Sequence, residues 1–366
     1  MALTQTEVLS ALSGILDPQF GIDIVTLNLV RDVTIDGDKV GVTLVLRSFL
    51  DPAEAGLVSD VKAALRVLPG VTASAVQTRV EVPKARLPKA ERMPTVRHII
   101  GVGAGKGGVG KSTVAVNLAV ALAEAGARVG LLDADIYGPS VPIMMGVADA
   151  KPRVNEDKQI IPIVSHGVRF MSMGLLVSPD EAVVWRGPMI GRAVTQFIDD
   201  VAWGELDYLI VDLPPGTGDV VLTLSQTIPL SGAVVVSTPQ DVAFADVQRA
   251  IRMFRMLKVD VVGLAENMAF FVCPDNNKTY WIFGKSRTAE HCAQHDVALL
   301  GTLPIEMAVS PHADAGRPMV AAEPQSAHAE LYRQLAGRTV KGLAVLDHKR
   351  AQGPDHSDFF AAAGPA

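Results

Sequence analysis

Cysteine is scarce in this chain: only Cys273 and Cys292 occur in 366 residues. Two thiols cannot build a disulfide framework, and their scarcity suits a reducing compartment. Long apolar runs are missing as well. No stretch reaches the roughly 18–20 residues a membrane-spanning helix needs, so no membrane span is expected. The segment from Met1 to Ser10 lacks the basic stretch and apolar core of a secretory signal. A cytoplasmic location is therefore the expectation. A basic excess is also absent. The formal charge of −6 gives the surface no electrostatic reason to bind nucleic acid. The length suffices for a large core and two domains.

What is present begins with Gly105-Lys106-Gly107-Gly108-Val109-Gly110-Lys111-Ser112-Thr113. It satisfies the phosphate-loop pattern G-x-x-x-x-G-K-[ST] and adds a second lysine, Lys106. Glycines let backbone N–H groups turn toward a polyphosphate. Lys111 places charge near the β- and γ-phosphates, and Ser112 offers a hydroxyl to Mg²⁺. His98 to Gly103 reads as a short buried strand before the loop. Lys111 to Glu124 reads as a helix after it, with Val116, Leu118, Ala119, Leu122 and Ala123 on its apolar side. A phosphate then lies at a helix N-terminus, where free N–H groups favour an anion. The alternative is a glycine turn used only in packing.

The rest of the chain divides by pattern. Residues 1–82 read as a compact α+β unit. Helical spacing runs from Thr6 to Leu16 and from Glu54 to Leu68. Strands run over Val30–Ile35, Lys39–Leu46 and Ala73–Val82, the first two joined by the turn Asp36-Gly37-Asp38. Residues 83–97 alternate Pro83, Pro88 and Pro94 with Lys84, Arg86, Lys89, Arg92 and Arg97, the composition of a solvated tether. From 98 to 346 apolar strands alternate with helical patterns. The strands are Ala127–Leu132, Tyr208–Val211, Ala233–Ser237, Val261–Leu264 and Ala298–Leu303. The helices are Arg192–Val201, Asp246–Leu257, Thr288–His295 and Ala327–Leu343. That rhythm predicts an α/β fold, a parallel sheet with helices on both faces. Residues 347–366 lack periodicity and are expected to be a disordered tail.

Candidate catalytic groups follow from the chemistry of phosphoryl transfer, which needs positioned charge around the γ-phosphate. Asp212 ends a buried strand and is a candidate to hold Mg²⁺ through water. Asp133 and Asp135 end another strand. Asp135 is the candidate for orienting the attacking water, and Asp133 for contacting the metal shell. The alternative is that these aspartates cap their loops, but ligands gather at the carboxyl ends of strands in open α/β sheets. Gly216, in a Pro-Pro-Gly turn, can offer its N–H to the γ-phosphate.

The loop with its extra lysine resembles the deviant phosphate loop of the MinD/ParA/nitrogenase-iron-protein class. Leu131-Leu132-Asp133-Ala134-Asp135-Ile136-Tyr137-Gly138-Pro139-Ser140 is similar to the first switch of the Mrp/ApbC branch, and Val211 to Asp219 to its second. Ser237 to Ala243 and Glu266-Asn267-Met268 resemble the same branch. The likeness covers roughly Thr95 to Leu343. Met1 to Val82, through Asp17-Pro18 and Asp23-Ile24-Val25, resembles the iron–sulfur-assembly domain often fused in front of Mrp proteins. The resemblance implies a slow ATPase that works as a homodimer and carries iron–sulfur clusters to apoproteins, with assembly factors as further partners. It implies that Lys106 reaches phosphate bound by the partner protomer, and that Asn267 recognises adenine. It also implies a cluster, 4Fe–4S, bridging the dimer through C-x-x-C pairs.

The chain departs from that pattern at two places. Cys273 holds the first cysteine position of Phe271-Val272-Cys273-Pro274-Asp275-Asn276, but Asn276 stands at the second. Two thiolates per dimer need further ligands, from Cys292, Asp275, His291, His295 or an external thiol. Cys292, in a helical stretch, reads either as a packing cysteine or as a ligand. In the N-terminal domain, Asp51 of Ser48-Phe49-Leu50-Asp51-Pro52 stands where relatives carry cysteine. Two functions from different classes follow: an ATP-hydrolysing iron–sulfur carrier, or a metal-free ATP-driven dimer switch of the MinD/ParA type. A small-molecule P-loop kinase is a third reading, opposed by Lys106 and the first switch.

Overall fold

The computed structural model describes residues 3–87, 90–135, 138–175 and 187–352. Ile136 and Tyr137 of the first switch, Pro88 and Lys89 of the expected tether, and residues 353–366 of the expected tail lie outside the described residues. The chain divides into two units. The smaller comprises the chain up to Pro83 together with the chain from Val340 onward; the larger comprises Lys84–Thr339.

In the smaller unit the first helix, α1 (Gln5–Leu12), opens on a capping box. Thr4 Oγ1 accepts from the Glu7 N–H at 3.3 Å, and the Glu7 carboxylate accepts from the Thr4 N–H at 2.8 Å. Strands β1 (Val30–Asp36) and β2 (Lys39–Leu46) form the expected antiparallel hairpin, turning at Gly37 with φ 61°. Helix α2 (Glu54–Arg66) buries Leu57, Val61 and Leu65, one stripe at four-residue spacing. Strand β3 (Ala73–Val80) then lies parallel to β2. Val8, Leu12, Leu44, Leu46, Val61 and Leu65 make the core.

In the larger unit an eight-stranded sheet carries the site. Its strands are β4 (Val96–Ala104), β5 (Val129–Asp133), β6 (Ile163–Ser165), β7 (Val168–Ser172), β8 (Leu206–Asp212), β9 (Gly232–Ser237), β10 (Val261–Glu266) and β11 (Leu299–Thr302). The order is β6-β7-β5-β8-β4-β9-β10-β11, parallel throughout except for the β6 edge. Every residue of β5, β8 and β9 is buried, as a parallel sheet covered on both faces requires. Helix α3 (Lys111–Glu124) follows β4, and α4 (Asp241–Met256) follows β9. The chain crosses to opposite sides of β4 on leaving it, through β5 and later β9. A crevice therefore opens at the carboxyl end of β4.

Two expectations are corrected and one unread element is added. The hairpin β6–β7 was not read from the sequence. It turns at His166-Gly167, both in the left-handed region at 47° and 75°, and a His-Gly pair carries a weaker turn signal than Asn-Gly. The expected tether is packed along part of its length. Ala85 and Met93 are buried, the Ala85 N–H donates to the Arg97 carbonyl at 3.0 Å, and Arg92 pairs with Asp199 at 3.1 Å. Its apolar residues supplied anchors that the proline and charge count obscured. The last helix, α5 (Ala327–Gln352), runs past Asp347, the expected start of the tail. Val340, Leu343, Ala344 and Asp347 share one buried helical face, and Lys349 and Arg350 suit a helix C-terminus.

Candidate functional site

The phosphate loop leaves β4 at Gly105 and enters α3 through Gly110, the residue that caps the helix in the left-handed region at φ 81°. No side chain caps α3. Its first N–H groups therefore remain available to an anion. Gly110 has a second reason to lack a side chain, since a Cβ there would collide with Asn267 Nδ2. That amide donates to the Val109 carbonyl at 3.0 Å, which clips the end of β10 to the loop. At Gly105 a Cβ would run into the Asp246 backbone of α4.

Beneath the loop, four predicted groups converge. Lys111 Nζ donates to Asp212 Oδ1 at 2.6 Å and to Ser112 Oγ at 3.3 Å, and lies 3.7 Å from Asp135 Oδ2. Ser112 Oγ donates to Asp212 Oδ2 at 2.6 Å. Burial raises Asp212 above the usual carboxylate range, and the Lys111 ammonium opposes that rise. Asp133 lies opposite Asp212 on the neighbouring strand. It is wholly buried, and its carboxyl is pushed up to about 7 by burial first and by the Asp212 charge second. Both of its oxygens are engaged by protein donors. Oδ1 accepts from the Asp135 N–H at 3.1 Å and Oδ2 from Ser172 Oγ at 2.8 Å. The Gly216 N–H, the candidate γ-phosphate donor, is directed at the Ala104 carbonyl at 2.8 Å. Lys106 is half-buried and forms no hydrogen bond or ion pair among the described residues.

Cys273 stands apart from this cluster, on a two-stranded hairpin, Phe271–Val272 with Thr279–Tyr280. It is partly exposed. The Cys273 N–H donates to the Lys278 carbonyl at 3.0 Å. Asn276 shapes the turn, its Oδ1 accepting from the Lys278 N–H at 2.9 Å. The flanking Val272, Tyr280, Trp281, Ile282 and Phe283 are exposed. Cys292 lies in the core instead, packed among buried apolar residues. Burial, then the Glu266 carboxylate, pushes its thiol up to about 11. His291 pairs with Asp241 at 3.1 Å and stacks on Phe244, while His295 meets Gln248 at 3.0 Å. Among the described residues no group of three or more His, Cys, Asp or Glu side chains is placed to hold a metal.

The smaller unit holds a second charged cluster. Lys341 Nζ donates to Asp17 Oδ2 at 2.6 Å and to Asp51 Oδ2 at 2.7 Å, with all three side chains buried. Sequence reasoning singled out Asp51 only as a missing thiol and passed over Lys341. It also missed Ser172, whose strand was not anticipated; a serine closing a strand beside an Asp-x-Asp strand end was the available signal. Asn117 was missed too. It is buried on α3 and bonds both the Thr113 carbonyl and the Val320 N–H.

A parallel sheet with a phosphate loop at its switch point, and a lysine, a serine and aspartates gathered under that loop, defines a P-loop nucleotide-binding α/β protein. The family described as NUBPL iron-transfer P-loop NTPase, of the ParA group, matches residues 95–340, and the iron–sulfur cluster assembly protein family matches residues 5–77. The chain belongs to the first of these families. It is 48% identical over 335 residues to an iron–sulfur cluster carrier protein of Deinococcus radiodurans, covering 92% of this chain and 94% of that protein. It is 51% identical over 256 residues to an Arabidopsis thaliana iron–sulfur protein required for NADH dehydrogenase, covering 70% and 82%. Among solved structures, a nucleotide-binding protein of Archaeoglobus fulgidus in complex with ADP superposes with a TM-score of 0.58 at 38% identity, over 66% of this chain and 94% of that one. The cell division ATPase MinD of Pyrococcus furiosus shares the fold, with a TM-score of 0.53 at 21% identity over 67% and 98%.

Proposed function

We propose that this chain is an ATP-hydrolysing carrier that assembles iron–sulfur clusters or transfers them to apoproteins, acting as a homodimer. The observation that carries the reading is the convergence of Lys111, Ser112, Asp212 and Asp135 under the phosphate loop, in the same unit as the partly exposed Cys273. The names of the relatives supply the cargo.

The residues divide the chemistry. Backbone N–H groups of Gly107 to Lys111 and the N-terminus of α3 cradle the phosphates. Lys111 exchanges its carboxylate partner for phosphate oxygens when nucleotide enters. Ser112 Oγ and the Asp212 carboxylate, 2.6 Å apart, are hard oxygen donors of the type Mg²⁺ takes. Bound there, Mg²⁺ supplies positive charge against the β- and γ-phosphates. Asp135 orients the attacking water, and Asn267 beside the loop faces the base. Lys106, unengaged in its own protomer, serves the partner's phosphates, where a cation supplied in trans stabilises transition-state charge. The cluster is cargo. Cys273 from each protomer supplies one thiolate, and the remaining iron positions take exchangeable ligands, which suits a donor that must release.

Anaerobic reconstitution with iron and sulfide, read by visible absorbance and iron per dimer, tests this reading. Wild type is expected to take up iron and Cys273→Ser to lose the absorbance. Asn276→Cys, which adds a second thiol to the turn, is expected to hold the cluster more tightly. One observation favours a second reading, a metal-free dimer switch: Asn276 is committed to the turn and brings no thiolate. Iron uptake by Asn276→Cys but not by wild type would select it.

A further inference from the structure

Ser172 lies outside every motif of the phosphate site, yet it is wholly buried at the carboxyl end of β7, the strand paired with β5. Its register partner across that pair is Asp133. The hydroxyl has two partners. It donates to Asp133 Oδ2 at 2.8 Å and accepts from the Gly174 N–H at 3.0 Å. The proton of Ser172 is thus directed at the carboxylate, because the Gly174 amide fills the acceptor side. The other oxygen of Asp133 holds the Asp135 N–H at 3.1 Å, and Asp135 Oδ2 stands 3.7 Å from Lys111 Nζ. A continuous chain of hydrogen bonds therefore runs from Gly174 through Ser172 and Asp133 to the backbone of Asp135. The Asp133 carboxylate cannot rotate to serve another group without abandoning one of its two donors.

We propose that Ser172 is a positioning residue for ATP hydrolysis: it fixes the Asp133 carboxylate, which in turn sets the backbone of Asp135 so that the Asp135 side chain reaches the phosphate site. This rests on the reading of Asp135 as the residue that orients the attacking water. Ser172 touches neither nucleotide nor water in this scheme. Its removal is felt in the rate of hydrolysis and not in nucleotide affinity, since Lys111, Ser112 and the loop amides keep their places. A misplacement of a water-orienting group is expensive in rate because orientation acts in the transition state.

The test is a double-mutant cycle on the full chain, with kcat and KM for Mg-ATP measured alongside the Kd of a non-hydrolysable analogue. Ser172→Ala is expected to lower kcat about tenfold or more, the loss of one hydrogen bond to a charged group, while the Kd stays within about twofold. Ser172→Thr, which keeps the hydroxyl, is expected to recover most of the rate. Asp135→Ala with Ser172→Ala is expected to be no slower than Asp135→Ala alone, because Ser172 acts only through Asp135. Multiplicative slowing in the double variant overturns the proposal, as does a wild-type rate in Ser172→Ala while Asp135→Ala is impaired. A wild-type rate in Asp135→Ala overturns instead the reading of Asp135 on which it rests. A general packing defect in Ser172→Ala would weaken analogue binding and fail to be rescued by threonine, and that pattern also overturns it.

Discussion

Lys111 in this structure bonds Asp212 and Ser112 and approaches Asp135, so one buried ammonium is set against two carboxylates and a hydroxyl. Lys111→Ala is expected to abolish tight Mg-ATP binding in equilibrium titration, because it removes the main cation facing the β- and γ-phosphates. Asp135→Ala is expected to keep binding and slow turnover by orders of magnitude, since water positioning acts mainly in the transition state. The two thiols differ just as sharply. Cys273 is partly exposed, whereas Cys292 is buried with its thiol raised to about 11. The thiolate is the reactive form, and a raised pKa keeps it rare at neutral pH. Iodoacetamide on the native protein at pH 8 is therefore expected to modify one thiol, Cys273. Cys292 should react only after unfolding, and fast labelling of both would contradict the burial.

At the scale of elements, α3 is tied near its middle by polar contacts of Asn117 that its apolar pattern does not reveal. Asn117 Nδ2 donates to the Thr113 carbonyl at 2.9 Å, and Asn117 Oδ1 accepts from the Val320 N–H at 3.0 Å. Asn117→Ala leaves the Val320 N–H buried without that acceptor, at a cost of about 1–3 kcal/mol that chemical unfolding would measure. The strand–loop–helix unit from Val96 to Glu124 was legible because two signals agreed there, an apolar run and a glycine-lysine pattern. The hairpin carrying Lys39–Leu46 was legible for the same reason, through Asp36-Gly37-Asp38. The strand Val168–Ser172 was not, because it is short, Arg169 interrupts its apolar residues and its turn is His-Gly. That single omission concealed Ser172, and with it the support of Asp133. Asp133, Asp135 and Asp212 were legible as strand-end carboxylates, but only the fold separates them. Asp212 faces Lys111 and Ser112, while Asp133 is turned to Ser172 and the Asp135 amide. Long-range partners such as Lys341 with Asp17 and Asp51 leave no local mark in a sequence, since they stand 324 and 290 positions apart along the chain.

At the scale of the whole molecule, the smaller unit is closed by that ion triad, in which one buried ammonium meets two buried carboxylates. Burial raises Asp51, and Lys341 opposes the rise. Lys341→Met leaves both carboxylates without their hydrogen-bonded cation and is expected to destabilise the unit by about 3–5 kcal/mol in urea unfolding. Asp51→Asn, which keeps a neutral acceptor and leaves the Asp17 pair intact, is expected to cost less. Assembly is tested by light scattering. A non-hydrolysable ATP analogue is expected to favour a dimer that Lys106→Ala weakens, with nucleotide binding by each protomer retained. The central claim is that this P-loop protein delivers clusters. Its most direct measurement mixes the anaerobically reconstituted chain with an apo-ferredoxin and follows the acceptor's own visible spectrum, with and without Mg-ATP. The account predicts that the ferredoxin spectrum appears with wild type and is lost with Cys273→Ser, although that variant still hydrolyses ATP. A wild-type chain that takes up no iron, or that holds iron and never yields it to the acceptor, would contradict the account.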